Sequence, residues 1–176
     1  MFLKKLVFAA CLFICSYSWA YNEIDLEKLK ALNTCEHCNL SGANFTDHDL
    51  TGANLAGANL AGAVFTNANL TDTNLTGANL TDTNLGDDIL GGANLGNAHL
   101  EGADLTNADL NGADLGDHDL TGANLTNANL TGANLESGYL AHINFTNANL
   151  AGADLGGADL TGANLTGANL SNANLR

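Results

Sequence analysis

Proline is absent from all 176 residues, where average usage would supply about nine. No position therefore lacks its backbone N–H, and nothing in the chain deletes a hydrogen bond between neighbouring segments. Basic residues are nearly as scarce, 5 Lys and Arg against 19 Asp and Glu, for a net charge of -14. That deficit excludes direct binding to nucleic acid or to an anionic membrane, both of which need cations to neutralise phosphate. Aromatic residues make up 6%, so the material that usually anchors protein interfaces is thin. Mean hydropathy is +0.01 and 45% of residues are hydrophobic, which argues against disorder. Signatures of catalysis are missing too. There is no Ser–His–Asp or paired-carboxylate arrangement, no EF-hand spacing and no Gly-Gly-x-Gly-x-Asp run. No cofactor is expected.

The first twenty residues read as an export signal. Lys4 and Lys5 form a positive start, Leu6 to Ile14 is an apolar run, and Ser18-Trp19-Ala20 presents small residues for cleavage after Ala20. The run is too short to span about 30 Å of hydrocarbon, so no membrane span is expected after cleavage. The expected organisation is a signal peptide over 1–20, an N-terminal capping helix over 21–34 and a repeat over 35–176. The mature chain then carries Lys28, Lys30 and Arg176 as its only basic residues, a net charge of -16, and is exported, either periplasmic or secreted.

The remainder counts in fives. From Leu40 to Leu175 every fifth residue is Leu or, at Phe45, Phe65 and Phe145, Phe. Ala stands two before it, except at Cys38, His48, Thr73, Thr83, Asp88, His118, Gly138 and Ile143. Asn or Asp stands one before it, except at Val64, Ile89, His99 and Tyr139. A helix repeats at 3.6 residues and a strand at 2, so a period of five requires a chain that turns at regular intervals. The Ala and Leu slots are the consistently apolar ones and must face the interior. Asn and Asp suit turns, and Gly two after the Leu relaxes the corner.

The tandem Ala-[Asp/Asn]-[Leu/Phe]-x-x pattern, as in Ala53-Asn54-Leu55, resembles the pentapeptide repeat family over Cys35 to Arg176. The resemblance implies an all-β fold, a right-handed quadrilateral β-helix of about seven coils. Four pentapeptides make each coil, with Leu/Phe and Ala pointing inward. Strand spacing of about 4.8 Å makes such a rod roughly 34 Å long. Tyr21 to Asn33 lies outside the repeat. Asn22 and Asp25 suggest a capping box, and Ile24, Leu26, Leu29 and Leu32 one apolar side, so a short helix is expected to close the top of the rod. No cap follows Leu175, and a homodimer joined through the C-terminal coils is expected to cover that end.

Three features stand out. Cys35-Glu36-His37-Cys38 could be a redox pair, half of a zinc site or a disulfide. Its frame turns both sulfurs inward, and its likeness to secreted members of the family favours the disulfide. Asp104, Asp109, Asp114 and Asp119 occupy one slot on four successive walls and ring the rod, a pattern suited to a cation or a basic protein but also to simple solubility. Tyr139 and His142 interrupt the repeat near Glu136-Ser137-Gly138 and form the most unusual surface. His48 and His118 fall in inward slots, where a local bulge is expected.

The expected function is a non-enzymatic exported scaffold that meets an unknown protein partner through its outer faces. A second reading follows from resemblance to quinolone-resistance pentapeptide proteins, which mimic DNA and bind gyrase. The charge density, near one per 2 Å, approaches the one per ~1.7 Å of B-DNA. The export signal and the lack of loop insertions count against it. A third reading, ice binding, rests on the column of Thr46, Thr66, Thr106, Thr126, Thr146 and Thr166, broken at Gly86.

Overall fold

The computed structural model describes residues 21–86, 88, 90 and 93–176. The expected signal peptide, 1–20, lies outside the described residues. The repeat winds into a β-helix whose bridges are all parallel and join residues twenty apart, from Thr34↔Asn54 to Asp154↔Asn174. Twenty residues hold four pentapeptides, so each coil has four walls. Each wall is named here by its first inward residue: Cys35, Leu40, Phe45 and Leu50.

Outside one seam, the described pentapeptides make the same bonds. The Leu-slot N–H donates to the next coil, as Leu125 N does to Asn144 O at 2.7 Å, and the Asn-slot N–H donates to the previous one, as Asn124 N does to Ala103 O at 2.9 Å. The Ala N–H closes the turn within the coil, Ala128 N to Leu125 O at 3.1 Å. Among the described residues, the backbone two after each Leu or Phe takes a positive φ, +71° at Gly162 and +57° at Asn147. That conformation costs a Cβ-bearing residue least when it is Asn or Asp and costs Gly nothing, which explains why those three types dominate the slot. The Asn or Asp before the Leu is different. It is the bridging residue, and its side chain forms the turn: Asn144 Oδ1 accepts the Thr146 N–H at 3.1 Å and the Thr146 hydroxyl at 2.6 Å.

The interior is filled. Leu/Phe and Ala side chains from 35 to 155 are buried almost without exception, and Phe45 stacks on Phe65 with centroids 4.8 Å apart. Burial of each such Leu or Phe contributes about 1.5–3 kcal/mol before chain entropy is counted. The last coil is more open: Leu160, Leu165 and Leu170 are half-buried and Leu175 is 56% exposed.

A helix, α1 (Glu23–Leu32), sits on the first coil. Asn22 caps it by accepting the Ile24 N–H at 3.0 Å, and Asn33 ends it in a left-handed turn. The expected capping box does not form. Asp25 instead reaches across to the coil and accepts the Asn39 N–H at 2.8 Å, while the Asn22 N–H donates to Asn39 O at 2.8 Å. Both polar groups of one backbone unit thus latch the helix down. The apolar side is narrower than the sequence suggests. Leu29 is buried and Leu26 packs on the core, but Ile24 and Leu32 are exposed. Both latches, the Asn22 N–H and the Asp25 carboxylate, hold the N-terminal end of the helix on Asn39. Among the described residues no helix is long and apolar enough to cross a membrane.

The bulge expected at His48 does not occur, whereas the ladder is disturbed at His118, as described below. His48 N still bonds Phe45 O and Asn69 N still bonds His48 O. The ring swings outward and is exposed, edge-on to Phe45 with centroids 6.0 Å apart and with Nδ1 2.9 Å from Thr46 O. Asp88 stays inside and accepts the Ala68 N–H at 2.7 Å.

Candidate functional site

Thr73, Thr83 and His118 in the Ala slot share a pattern that only the folded coil makes visible. They donate to the carbonyl of the Leu 23 residues earlier, in the coil beneath. Thr73 Oγ1 bonds Leu50 O at 2.8 Å, and Thr83 Oγ1 bonds Leu60 O at 3.3 Å and Leu80 O at 2.5 Å. A hydroxyl is small enough to do this without disturbing the ladder: Asn74 N still bonds Ala53 O and Asn84 N still bonds Ala63 O.

His118 follows the same pattern with a much larger group. The side chain is buried, Nε2 lies 2.5 Å from Leu95 O, and Nδ1 lies 2.7 Å from Gly116 O. Gly116 O is the carbonyl that the repeat would pair with the Asn97 N–H. Among the described residues the ladder is interrupted here. Leu95 N–H and Asn97 N–H make no bond to the coil above, and Asp114 N–H and Asp119 N–H make none to Ala93 O and Ala98 O. The bridges Asn94↔Asp114 and His99↔Asp119 are missing accordingly. The imidazole works as a wedge and parts two coils along the Cys35 and Leu40 walls.

Two depressions mark the seam. One, about 320 Å³, is lined by His99, Asp117, His118, Asp119 and Tyr139. The other, about 290 Å³, lies between Ala93–Gly96 and Gly112–Asp114. Around the first, the outward slot of the Leu40 wall reads His99, Asp119, Tyr139, Asp159 in successive coils. Tyr139 is 59% exposed, and His99 Nδ1 lies 3.3 Å from Glu101 Oε1.

The ring of acids does not converge. Asp104, Asp109, Asp114 and Asp119 stand on four different walls, and their Oδ1 atoms are committed to the frame. Each closes its own turn, and three accept a side-chain amide from the coil above: Asn124 at 3.2 Å, Asn129 at 2.9 Å and Asn134 at 2.8 Å. Asp119 differs. Tyr139 stands above it and offers no amide, so among the described residues its carboxylate accepts the Thr121 N–H alone, at 2.9 Å. Of the four, Asp119 lines the first depression and Asp114 the second.

His142 is not beside Tyr139 in function. It occupies a left-handed corner, and its ring lies over Gly162 so closely that a Cβ there would sit 2.6 Å from Nδ1. The Thr column is also inward-looking. Thr126 Oγ1 donates to Asn124 Oδ1 and accepts from Asn144 Nδ2, so the hydroxyl is used up within the wall. At the other end Cys35 and Cys38 form a disulfide, both sulfurs inside, with the Lys28 ammonium 4.0 Å from Cys38 Sγ. Asp25, Cys35 and Cys38 bring three donor atoms within 4.8 Å, but the sulfurs are bonded to one another and the carboxylate holds Asn39.

Two exposed carboxylates lie below the ordinary Asp range. The Thr51 hydroxyl, and then its N–H, hold Asp49 down. The Thr161 hydroxyl and N–H do the same for Asp159, with a smaller pull from His142. The folded form therefore favours the ionised state. This contribution to stability is complete above the ordinary Asp pKa of about 3.9 and disappears as pH falls through the lower folded value. Carbon-detected NMR titration should find both midpoints below those of unfolded Asp, and Thr51→Ala should raise the Asp49 midpoint while leaving Asp159 in place. An Asp49 midpoint unmoved by that substitution would contradict the assignment.

Comparison with known proteins agrees with this geometry. A family model described as pentapeptide repeats matches in eight copies, over residues 34–62, 49–87, 89–127, 103–140 and 143–176. HetL, a pentapeptide repeat protein from the cyanobacterium Nostoc involved in heterocyst differentiation regulation, is 32% identical. The match covers 80% of this chain and 73% of HetL, with a TM-score of 0.56. Rfr23 from the cyanobacterium Cyanothece is 30% identical over 88% of this chain and 99% of its own, with a TM-score of 0.41. QnrB1, a plasmid-mediated fluoroquinolone resistance protein, is 20% identical over 74% of this chain and 79% of its own, with a TM-score of 0.39. No curated protein matches the chain.

Proposed function

Because the chain belongs to the pentapeptide repeat family, we propose that it is a non-enzymatic, exported scaffold that binds another protein through the outer faces of a right-handed square rod. The observation that carries this reading is the filled interior. Leu, Phe and Ala occupy the core from Cys35 to Leu155, so recognition falls to the walls. Three walls repeat Asn and Asp almost monotonously. The Leu40 wall, with His99, Asp119, Tyr139 and Asp159, is the one whose chemistry varies enough to select a partner.

Export is part of the proposal. The bonded Cys35–Cys38 pair and the leader-like sequence of residues 1–20 both support an oxidising destination. The open last coil, with Leu175 56% exposed, supports self-association through the C-terminal coils. The test is to express the full chain in a Gram-negative host and examine the soluble product. We expect a mass beginning at Tyr21, no free thiol under denaturing conditions, a dimer by light scattering, and a partner captured by photo-crosslinkers on the Leu40 wall but not on the Leu50 wall. An uncleaved cytosolic product with two free thiols would overturn the export reading, a stable monomer at micromolar concentration the dimer, and equal crosslinking from both walls the partner face.

A further inference from the structure

We propose that the seam wedged open by His118 is a slot for an arginine side chain of the partner protein; the inference rests on the scaffold reading above and names its recognition element. Three independent features of the seam point to that chemistry. The first is its hydrogen-bonding character. Parting the coils releases the carbonyl of Ala98 from its ladder donor, and Asp117 and Asp119 line the same depression with carboxylates. These three groups accept only, and a guanidinium offers five donors and no acceptor, while the Asn97 and Asp119 N–H groups freed beside them donate. The second is charge. Lys28 and Lys30 belong to the N-terminal helix and Arg176 to the last coil, so among the described residues no Lys or Arg lies beside the acids at the middle of the rod. The third is Tyr139, an exposed aromatic face on the rim of the depression, on which a planar guanidinium stacks and an ammonium does so less well. The N–H of Asp119, also freed from the ladder, is left to receive a carbonyl of the incoming peptide.

The repeat supplies its own controls. At positions 117, 119 and 139 the residue most common in the slot is Asn, or Gly and Asn for 117, and at 118 it is Ala. The substitutions Asp117→Asn, Asp119→Asn, Tyr139→Asn and His118→Ala therefore each restore the frame rather than damage it, and circular dichroism should show the fold unchanged. His118→Ala should close the seam, and hydrogen exchange at the Asp114 and Asp119 amides, fast in the parent, should slow at least tenfold as the ladder bonds form.

The probe is a fluorescein-labelled pentapeptide, Gly-Arg-Gly-Arg-Gly, titrated into the mature chain at 50 mM salt and followed by anisotropy and by amide shifts. Binding should perturb Asp119 and Tyr139 first. The Asp117→Asn/Asp119→Asn pair should weaken it about tenfold and Tyr139→Asn about threefold, from the loss of charge and of stacking. His118→Ala should abolish saturable binding. The equal-charge pair Asp47→Asn/Asp49→Asn, on the Phe45 and Leu50 walls, should change it less than twofold. Equal losses in the two charge-matched pairs, or equal affinity for a peptide with Lys in place of Arg, would reduce the effect to net charge and overturn the slot. A partner crosslinked equally well by the parent and by His118→Ala would also overturn it while leaving the scaffold reading intact.

Discussion

Deleting residues 141–160 should leave a protein that still folds, and deleting 141–158 should not. The first removes one coil and joins Leu140 to Thr161. The Leu40 wall continues without a change of slot, the bridges on either side re-form twenty residues apart, and Leu165, Leu170 and Leu175 keep their places. The cost is the stability of one coil, because a solenoid is close to a sum of units and their interfaces. The second deletion shifts the frame by two. Leu160 then falls in the left-handed corner slot that Gly152 and Gly162 occupy at φ +70° and +71°, and Ala163 falls where a Leu must fill the core. Every apolar side chain beyond the junction is displaced in the same way, with about 1.5–3 kcal/mol of burial lost at each Leu. We expect the twenty-residue deletion to melt cooperatively with a β-type circular dichroism spectrum, and the eighteen-residue deletion to lose its last coil and aggregate. Equal behaviour of the two proteins would refute the twenty-residue register.

Phe65→Ala should lower the unfolding free energy by about 3–5 kcal/mol, the range for deleting a fully buried aromatic ring. Phe65 is wholly buried and stacks on Phe45 at 4.8 Å with the planes 21° apart. Its removal costs the transfer term, the cavity and the stacking, the last about 0.5–1.5 kcal/mol. The cavity cannot collapse readily, because the coils above and below are held at a fixed spacing by their ladders: Phe65 N bonds Asn84 O at 2.8 Å and Phe45 N bonds Val64 O at 2.7 Å. Phe65→Leu tests the reading from the other side. Leu is the residue of the same column at 85, 105 and 125, and the loss should stay below about 1.5 kcal/mol. Urea unfolding followed by circular dichroism measures both, with the midpoint moving and the slope nearly constant. A Phe65→Ala variant within about 1 kcal/mol of the parent, well under the ~3 kcal/mol low end of such losses, would mean that the Phe column does not stack as described.

The particular residues show how far a sequence of this kind can be read. Leu125, Ala123 and Asn124 declare their places directly, because each slot has one chemical demand and the chain meets it in pentad after pentad: volume inside, a small wall residue, a turn-forming amide. The inward sulfurs of Cys35 and Cys38 follow from the same frame. The departures were harder. His48 and His118 occupy the same slot type, yet one swings out beside Phe45 and the other drives two coils apart. Asp25 looked like half of a local cap and is instead a latch on Asn39. The four acids looked like a belt of charge, and three of them are acceptors for the asparagines one coil above.

What the sequence determined by itself is the beat of the chain, which residues lie inside, and where the corners need Gly, Asn or Asp. Those are demands within one pentapeptide, and they are met by residues at most five apart. What only the tertiary structure decided is everything that depends on the coil above or below: which amide finds which carboxylate, whether a ring has room, and where the ladder parts. The partners in those contacts lie some twenty residues away, and a ring such as that of His118 or His48 is placed by the space its neighbouring coils leave, a quantity no single pentapeptide contains.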